Sequence, residues 1–568
     1  MPKGLRKKKI HEKIRRKTER KVFTMQDLSF TFPTPHFTLK GITFSVMIYT
    51  FRNAYAPDAS GMSVKQGEEE LTADINGLCY AGGQLKMPGY VKIHAYTCGN
   101  GIRIKAMARI AGHEEDIRCI KITVHGIPEG KLINLTDARP REIPPEGLNL
   151  KYPEGWRDVG TPLVILQAKE GGLYYYRSLD NQVRDKRFVF VHTQQGLAAE
   201  LIFEEKATQM SGRIDAPEWE VGQGGSVADI YEPHRLHTEK NYGLVPWEKR
   251  SDVPDWAREI SLVAAIHCQH WTGYVFNDYE QVLENLKKIC RQVEGRRVLA
   301  YLPGWEGRYY WKYGSYSPDE RMGGKEGFLK LCREAKELGV HVMPMFGINV
   351  VGSHFDNYEE WGVPSEFRGP GGSQYGGSVD WDASRHYDHG SNRNLNPAAP
   401  RWQNRLYAQV TGLMDEYGFD AAFFDIAAVW MNDPSHSLYE GIRKLTCRLK
   451  EHNPELLLAG EGWYDGLAAC IPLLQCGHTD GVLHWHDEAY APMFDTYARG
   501  FGHLCLGDVS RGSTGVHELG YNPARRCPLR KGIIPTITIV DGTLEKAPEE
   551  AAVIFEDAKR YAQMFLKK

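Results

Sequence analysis

The chain has 568 residues, 42% of them hydrophobic and 25% charged, with 58 glycines and a formal net charge of −2. That length exceeds one ordinary core, so two or three domains are expected, and the composition is that of a globular protein rather than a disordered or fibrous one. No run approaches 18 consecutive apolar residues, which argues against a membrane-spanning helix.

Residues 1–21 carry eleven Lys/Arg against two Glu, and the rest of the chain therefore sums to −11. No apolar core follows these charges, so a secretory leader is not expected. Residues 1–30 read as a solvated basic tail. Nothing downstream supports a nucleic-acid or membrane partner. The eleven cysteines form no CxxC pair and no ligand spacing, so the expectation is a reducing cytoplasm and no bound metal.

From residue 31 to about 222 the chain reads as short strands between turn signals. Ile42–Phe51, Tyr90–Cys98, Ile102–Ile110, Ile117–Val124, Pro162–Ala168, Arg187–His192 and Ala198–Phe203 alternate apolar and polar residues with period two. An antiparallel β-sandwich domain is predicted. Residues 223–256 form a connecting segment with a short helical stretch at Ser226–His237.

From residue 257 to 568 the rhythm becomes strand, helix, strand. The predicted strands are Ser261–His270, Arg297–Trp305, Val340–Asn349, Phe419–Ala427, Glu455–Trp463, Gly481–Asp487, His503–Asp508 and Gly532–Val540. Helices are predicted at Asp278–Val293, Glu326–Leu338, Ala399–Tyr417, Leu438–His452, Gly466–Leu474, Ala491–Gly500 and Glu549–Phe565. Between 399 and 417, Trp402, Leu406, Val410, Leu413, Met414 and Tyr417 make one apolar stripe at 3.6-residue spacing. Eight βα units over some 300 residues predict a (β/α)8 TIM barrel, so the fold class is α/β. No Gly-rich phosphate loop favours an open doubly wound sheet instead.

Catalytic groups of such barrels stand where strands end. Two acids sit there inside apolar runs: Asp425 in AAFFDIAAV and Glu461 in LLLAGEGW. Burying an unpaired acid costs several kcal/mol, so acids at these positions call for a partner or a function. On adjacent strands, about 4.8 Å apart, their carboxyls could stand about 5–5.5 Å from each other, the spacing of a retaining glycosidase. Asp487 and Asp508, after the sixth and seventh predicted strands, are possible third carboxylates.

Trp305, Trp430 and Trp463 follow strand ends and could stack on the C–H faces of sugars. Glu306, Asn349, His354, His484 and His486 could hydrogen-bond sugar hydroxyls. His484 and His486 share one face of a strand and would also suit a metal, as in an amidohydrolase, but no third ligand is evident. The loop Asp380–Asp388 lacks the Gly and Glu of a calcium loop.

The runs GVHVMPMFGIN, LNPAAPRWQNRL, YGFDAAFFDIA and LLLAGEGWYD together resemble the α-amylase superfamily and related α-glycoside-cleaving barrels. That resemblance implies Asp425 as the nucleophile on strand four and Glu461 as the acid/base on strand five. Phe423 stands where α-amylases have an Arg, and no His-Asp dyad follows strand seven. The N-terminal sandwich and its Trp-Pro connection are more similar to relatives of α-galactosidases and endo-α-N-acetylgalactosaminidases. In the α-galactosidase arrangement the acid comes from strand six, where Asp487 would serve. The function expected is α-glycoside hydrolysis without a cofactor; the competing one is a barrel that binds carbohydrate without turnover.

Overall fold

The computed structural model describes residues 34–566, apart from 112–115, 137–139, 157, 195, 271–272, 309, 374–391, 477–489 and 503–528. Among the described residues the chain is mixed α/β, with a large antiparallel sheet followed by a parallel one that nearly closes on itself.

The antiparallel sheet has seventeen strands, running from Phe37–Leu39 to Trp219–Gly224. Its strands follow the predicted alternation. In Gly101–Ile110, Ile102, Ile104, Ala106 and Ala108 are buried while Lys105 and Arg109 face outward. Period-two placement puts one face of each strand into the core and leaves the other to solvent. The sheet turns over at Ala54–Pro57, which pairs with Ile42–Thr50 on one side and Glu70–Tyr80 on the other.

A helix, α1 (Val227–Tyr242), connects the two halves. It runs beyond the predicted stretch at its C-terminal end, where Thr238 and Tyr242 continue the buried side formed by Ile230, Tyr231 and His234, and it stops at Gly243 in the left-handed conformation (φ 70°).

The parallel sheet contains β1 (Leu262–Ile266), β2 (Val298–Leu302), β3 (His341–Gly347), β4 (Ala421–Asp425), β5 (Leu457–Glu461), β6 (Leu473–Cys476), β7 (Arg499–Gly502), β8 (Ile533–Ile534) and β9 (Thr536–Ile539). The strand order is β8-β7-β6-β5-β4-β3-β2-β1-β9. Only Pro535 separates β8 from β9, so the two ends of the sheet are consecutive in the chain and the sheet comes round into a nearly closed barrel. Every residue of β1, β2, β4 and β5 is buried, as parallel strands covered on both faces require. Five longer helices accompany the strands: α2 (Tyr279–Cys290), α3 (Gly324–Glu337), α4 (Pro400–Tyr417), α5 (Leu438–His452) and α6 (Pro548–Phe565). The stripe on α4 is buried as predicted, and the helix stops at Gly418 in the left-handed conformation (φ 70°).

The sixth and seventh strand positions differ from the prediction. Residues expected to form the helix Gly466–Leu474 instead make a short 3-10 turn and then β6, which pairs with β5 through Ala459↔Leu473, Gly460↔Leu474 and Glu461↔Gln475. Pro472 ends any helix there, and a short run that is apolar all round has no periodicity to tell strand from helix. The expected helix Ala491–Gly500 is helical only over Pro492–Asp495, and Arg499–Gly502 supplies β7. Gly481–Asp487 and His503–Asp508 lie outside the described residues.

Candidate active site

Asp425 and Glu461 are the last residues of neighbouring strands. The register pairs Phe424 with Gly460, so the two acids occupy the next rung together at the C-terminal mouth of the barrel. Both are nearly covered, at 4% and 7% exposure. Their carboxyl groups hydrogen-bond each other.

The surroundings decide which carboxyl is charged. Tyr313 donates its hydroxyl to Asp425 Oδ2 at 2.8 Å, and Tyr310 also hydrogen-bonds Asp425. Burial nevertheless pushes the Asp425 carboxyl up to about 6, against the opposing pull of these bonds. Burial raises Glu461 well above the usual carboxylate range, and the neighbouring charge of Asp425 adds to it. Of the two, Glu461 is the carboxyl that burial and a neighbouring charge both push towards the protonated form, while hydrogen bonds to Asp425 favour its ionised form.

Glu461 has a second contact. Its Oε2 accepts the backbone N–H of Ile426 at 3.0 Å, while Asn349 Nδ2 donates to the Ile426 carbonyl at 3.0 Å. Ile426 holds φ at 59°, a region that a β-branched residue rarely enters and that costs on the order of 1–3 kcal/mol. Ile426 is therefore held at both its N–H and its carbonyl in a conformation it would not adopt alone. Close approach also governs Gly347 at the end of β3, where a Cβ would stand 2.2 Å from Tyr313 Cδ2. Only glycine there lets Tyr313 reach Asp425.

Glu306 follows β2 and is 1% exposed. Neither of its carboxyl oxygens meets a hydrogen-bond partner from another described residue. Burial pushes it well above the usual carboxylate range, and the charge of Asp425 raises it further. Asn349 Oδ1 is likewise buried without a partner among the described residues. His267, just past β1, is pushed down to about 4 by burial and is neutral at pH 7.

The tryptophans divide by environment. Trp305 was expected at the mouth, but it is fully buried, stacked on Phe328 of α3 (4.8 Å, 27°) and donating Nε1–H to Met345 O at 2.9 Å. Trp463 is buried against Phe494, with its ring beside Gly160. Trp430 is partly exposed and meets Tyr464 edge-on at 6.3 Å. His354 stacks on Trp311 at 4.0 Å in a loop well beyond β3, and burial lowers its pKa. Asp487, Asp508, His484 and His486 lie outside the described residues, as does the loop 380–388.

Tyr313 and Ile426 were not singled out from the sequence. Tyr313 sits in the aromatic run YYWKYGSY, which could have suggested it; nothing in a single sequence announces the φ of Ile426. Among the described residues no group of three or more His, Cys, Asp or Glu side chains is placed to hold a metal, and no helix is long and apolar enough to cross a membrane.

No protein-family model matches the sequence, and no curated protein matches it. Solved structures do. The α-N-acetylgalactosaminidase NagBb from Bifidobacterium bifidum, in its GalNAc complex, is 12% identical with a TM-score of 0.63, covering 93% of this chain and 94% of that one. The GH36 α-galactosidase AgaA from Geobacillus stearothermophilus, in complex with raffinose, is 11% identical with a TM-score of 0.52, over 91% of this chain and 75% of that one. The galactosidase domain of the α-galactosidase-sucrose kinase AgaSK is 14% identical with a TM-score of 0.51, over 92% and 71%. These matches do not bear out the α-amylase-superfamily resemblance. At such identities the likeness is one of fold, and it extends over both the antiparallel half and the parallel barrel of this chain.

Proposed function

We propose that this protein is an α-glycoside hydrolase, with a (β/α)8 catalytic barrel over residues 257–568 behind a β-sandwich over residues 31–222, and that Asp425 is its nucleophile. The observation that carries the reading is the buried pair at the ends of β4 and β5: Tyr313 donates to Asp425 against the burial that raises it, while burial and the charge of Asp425 both push Glu461 upward. Environments that push two carboxyls apart in this way define acid and base roles.

In the retaining mechanism Asp425 attacks the anomeric carbon, the leaving oxygen takes a proton, and water then releases the sugar with its α configuration kept. A retaining pair works at a separation of about 5–5.5 Å, with room for the substrate between the two groups. Carboxyls that hydrogen-bond each other, as Asp425 and Glu461 do, stand closer than that. That favours Glu461 as the group that holds Asp425 and the Ile426 peptide in place. The proton for the leaving oxygen then falls to Asp487, which follows β6 by eleven residues in the chain. Glu306 and Asn349, whose buried oxygens have no partner among the described residues, suit hydroxyls of the reacting sugar.

The test is a panel of α- and β-linked nitrophenyl glycosides, run with the wild type and with Asp425→Asn, Glu461→Gln and Asp487→Asn. The reading requires turnover of an α-glycoside with retained configuration by NMR, abolished by Asp425→Asn. General acid catalysis contributes about 10²–10⁴-fold. A loss of that size in Asp487→Asn that shrinks as the leaving group becomes more acidic assigns the acid to Asp487; the same pattern in Glu461→Gln returns it to Glu461. Full activity in Asp425→Asn would refute the proposal.

A further inference from the structure

Between the strands Leu148–Tyr152 and Leu163–Ala168, the chain leaves the antiparallel sheet and reaches the barrel through residues 153–156 and 158–161. This excursion is built to hold its shape. Glu154 N donates to Val159 O at 3.3 Å, and Glu154 Oε2 accepts the N–H groups of Trp156 (3.2 Å) and Asp158 (2.7 Å). It is also fastened to the turn that follows Glu461. Trp463 N donates to Gly155 O at 3.0 Å and Asp465 N to Gly160 O at 2.7 Å. Tyr152 and Thr161 donate their hydroxyls to the two oxygens of the buried Asp465, at 2.6 and 2.8 Å.

The residue this loop delivers is Trp156. Its indole lies against Gly462, the residue immediately after Glu461. A Cβ at position 462 would meet Trp156 Cε2 at 3.0 Å and Cζ2 at 3.1 Å, and Gly462 itself holds φ at 78°. Both features demand glycine, so the backbone beside Glu461 is shaped to let this ring approach. The neighbouring Trp463 and Tyr464 are fully buried, whereas Trp156 keeps part of its surface exposed. A half-open indole, held by a braced loop from the other half of the molecule one residue from the carboxyl pair, is a surface for an apolar ring face.

We infer that Trp156 is a specificity-determining residue: a platform, contributed by the antiparallel half, for the unit joined to the reacting sugar, either a second sugar ring or an aromatic leaving group. The inference rests on the proposed role of Asp425 and Glu461. It assigns the antiparallel half a direct part in substrate choice beyond bracing the barrel.

Trp156→Ala and Trp156→Phe are to be compared with wild type on the nitrophenyl glycoside that wild type turns over, and on the methyl glycoside of the same sugar. Each base-sized aromatic stacking contact is worth about 1–3 kcal/mol, so Trp156→Ala should lose about tenfold or more in kcat/KM on the aryl substrate, mainly through KM. Trp156→Phe should keep most of the activity, the methyl glycoside should lose less than threefold, and the pH profile should not move. Unchanged kinetics in Trp156→Ala, equal loss on both substrates, or a displaced pH profile would each overturn the inference while Asp425→Asn remains dead. Wild-type protein that neither cleaves nor, by calorimetry, binds any glycoside of the panel would overturn the proposed function and this inference together.

Discussion

Replacing Asp425 with Asn should abolish turnover and, at pH 8, make the folded chain more stable. Asp425 is 4% exposed and its carboxyl is pushed up from 3.8 to about 6, chiefly by burial. The folded state thus keeps a proton that the unfolded chain releases at lower pH. Stability contributed by this group is complete below about 3.8, declines as pH rises towards 6, and stays low above it. Two units at 1.36 kcal/mol each amount to about 3 kcal/mol at pH 8. Asn fills the same space, keeps an acceptor for Tyr313 and Glu461, and removes the buried charge. For a unit of this size the gain corresponds to about 5 °C in Tm. Thermal melts of both proteins at pH 8 and pH 4.5 test the argument: the advantage of the variant should be large at pH 8 and small at pH 4.5. Equal melting temperatures at pH 8, or a variant destabilised alike at both pH values, would refute it by showing that local hydrogen bonds fully offset the burial of the charge.

Tyr313→Phe removes a 2.8 Å donor to Asp425, so the carboxylate should become harder to ionise. A hydrogen bond to a charged group is worth about 1.5–3 kcal/mol, which moves the acid limb of the kcat/KM profile up by about one unit or more, as a pH–rate series would show. Gly462→Ala would place a Cβ 2.6 Å from Ala428 Cβ and 3.0 Å from the Trp156 ring at φ 78°. Strain and overpacking together should cost about 2–4 kcal/mol, read as a lower Tm with reduced activity. Asn432 links the loop after β4 to the antiparallel half by donating to Glu204 Oε1 and Glu205 O and accepting from Ala207 N. Asn432→Ala should cost about 2 kcal/mol and speed amide exchange over residues 426–437, measured by hydrogen–deuterium exchange.

Much of the architecture was legible in the chain because it depends on local periodicity. Alternation at Gly101–Ile110 and the stripe on α4 are properties of a single strand and a single helix, and they appear where the residue pattern puts them. The acids Asp425 and Glu461 stood out because charge inside an apolar strand is costly wherever that strand packs. What periodicity could not decide was the short, uniformly apolar stretch after Glu461. Whether Leu473–Cys476 is strand or helix depends on whether a neighbouring strand is there to take its hydrogen bonds. Trp305 illustrates the same limit: a strand-end aromatic reads alike whether it faces the mouth or α3, and packing alone chose the latter. The meeting of Asp425 with Glu461, the left-handed Ile426 and the reach of Trp156 across to Gly462 are also tertiary facts. Each arises where groups distant in sequence meet in space, so their energies belong to the folded chain and to no single segment of it.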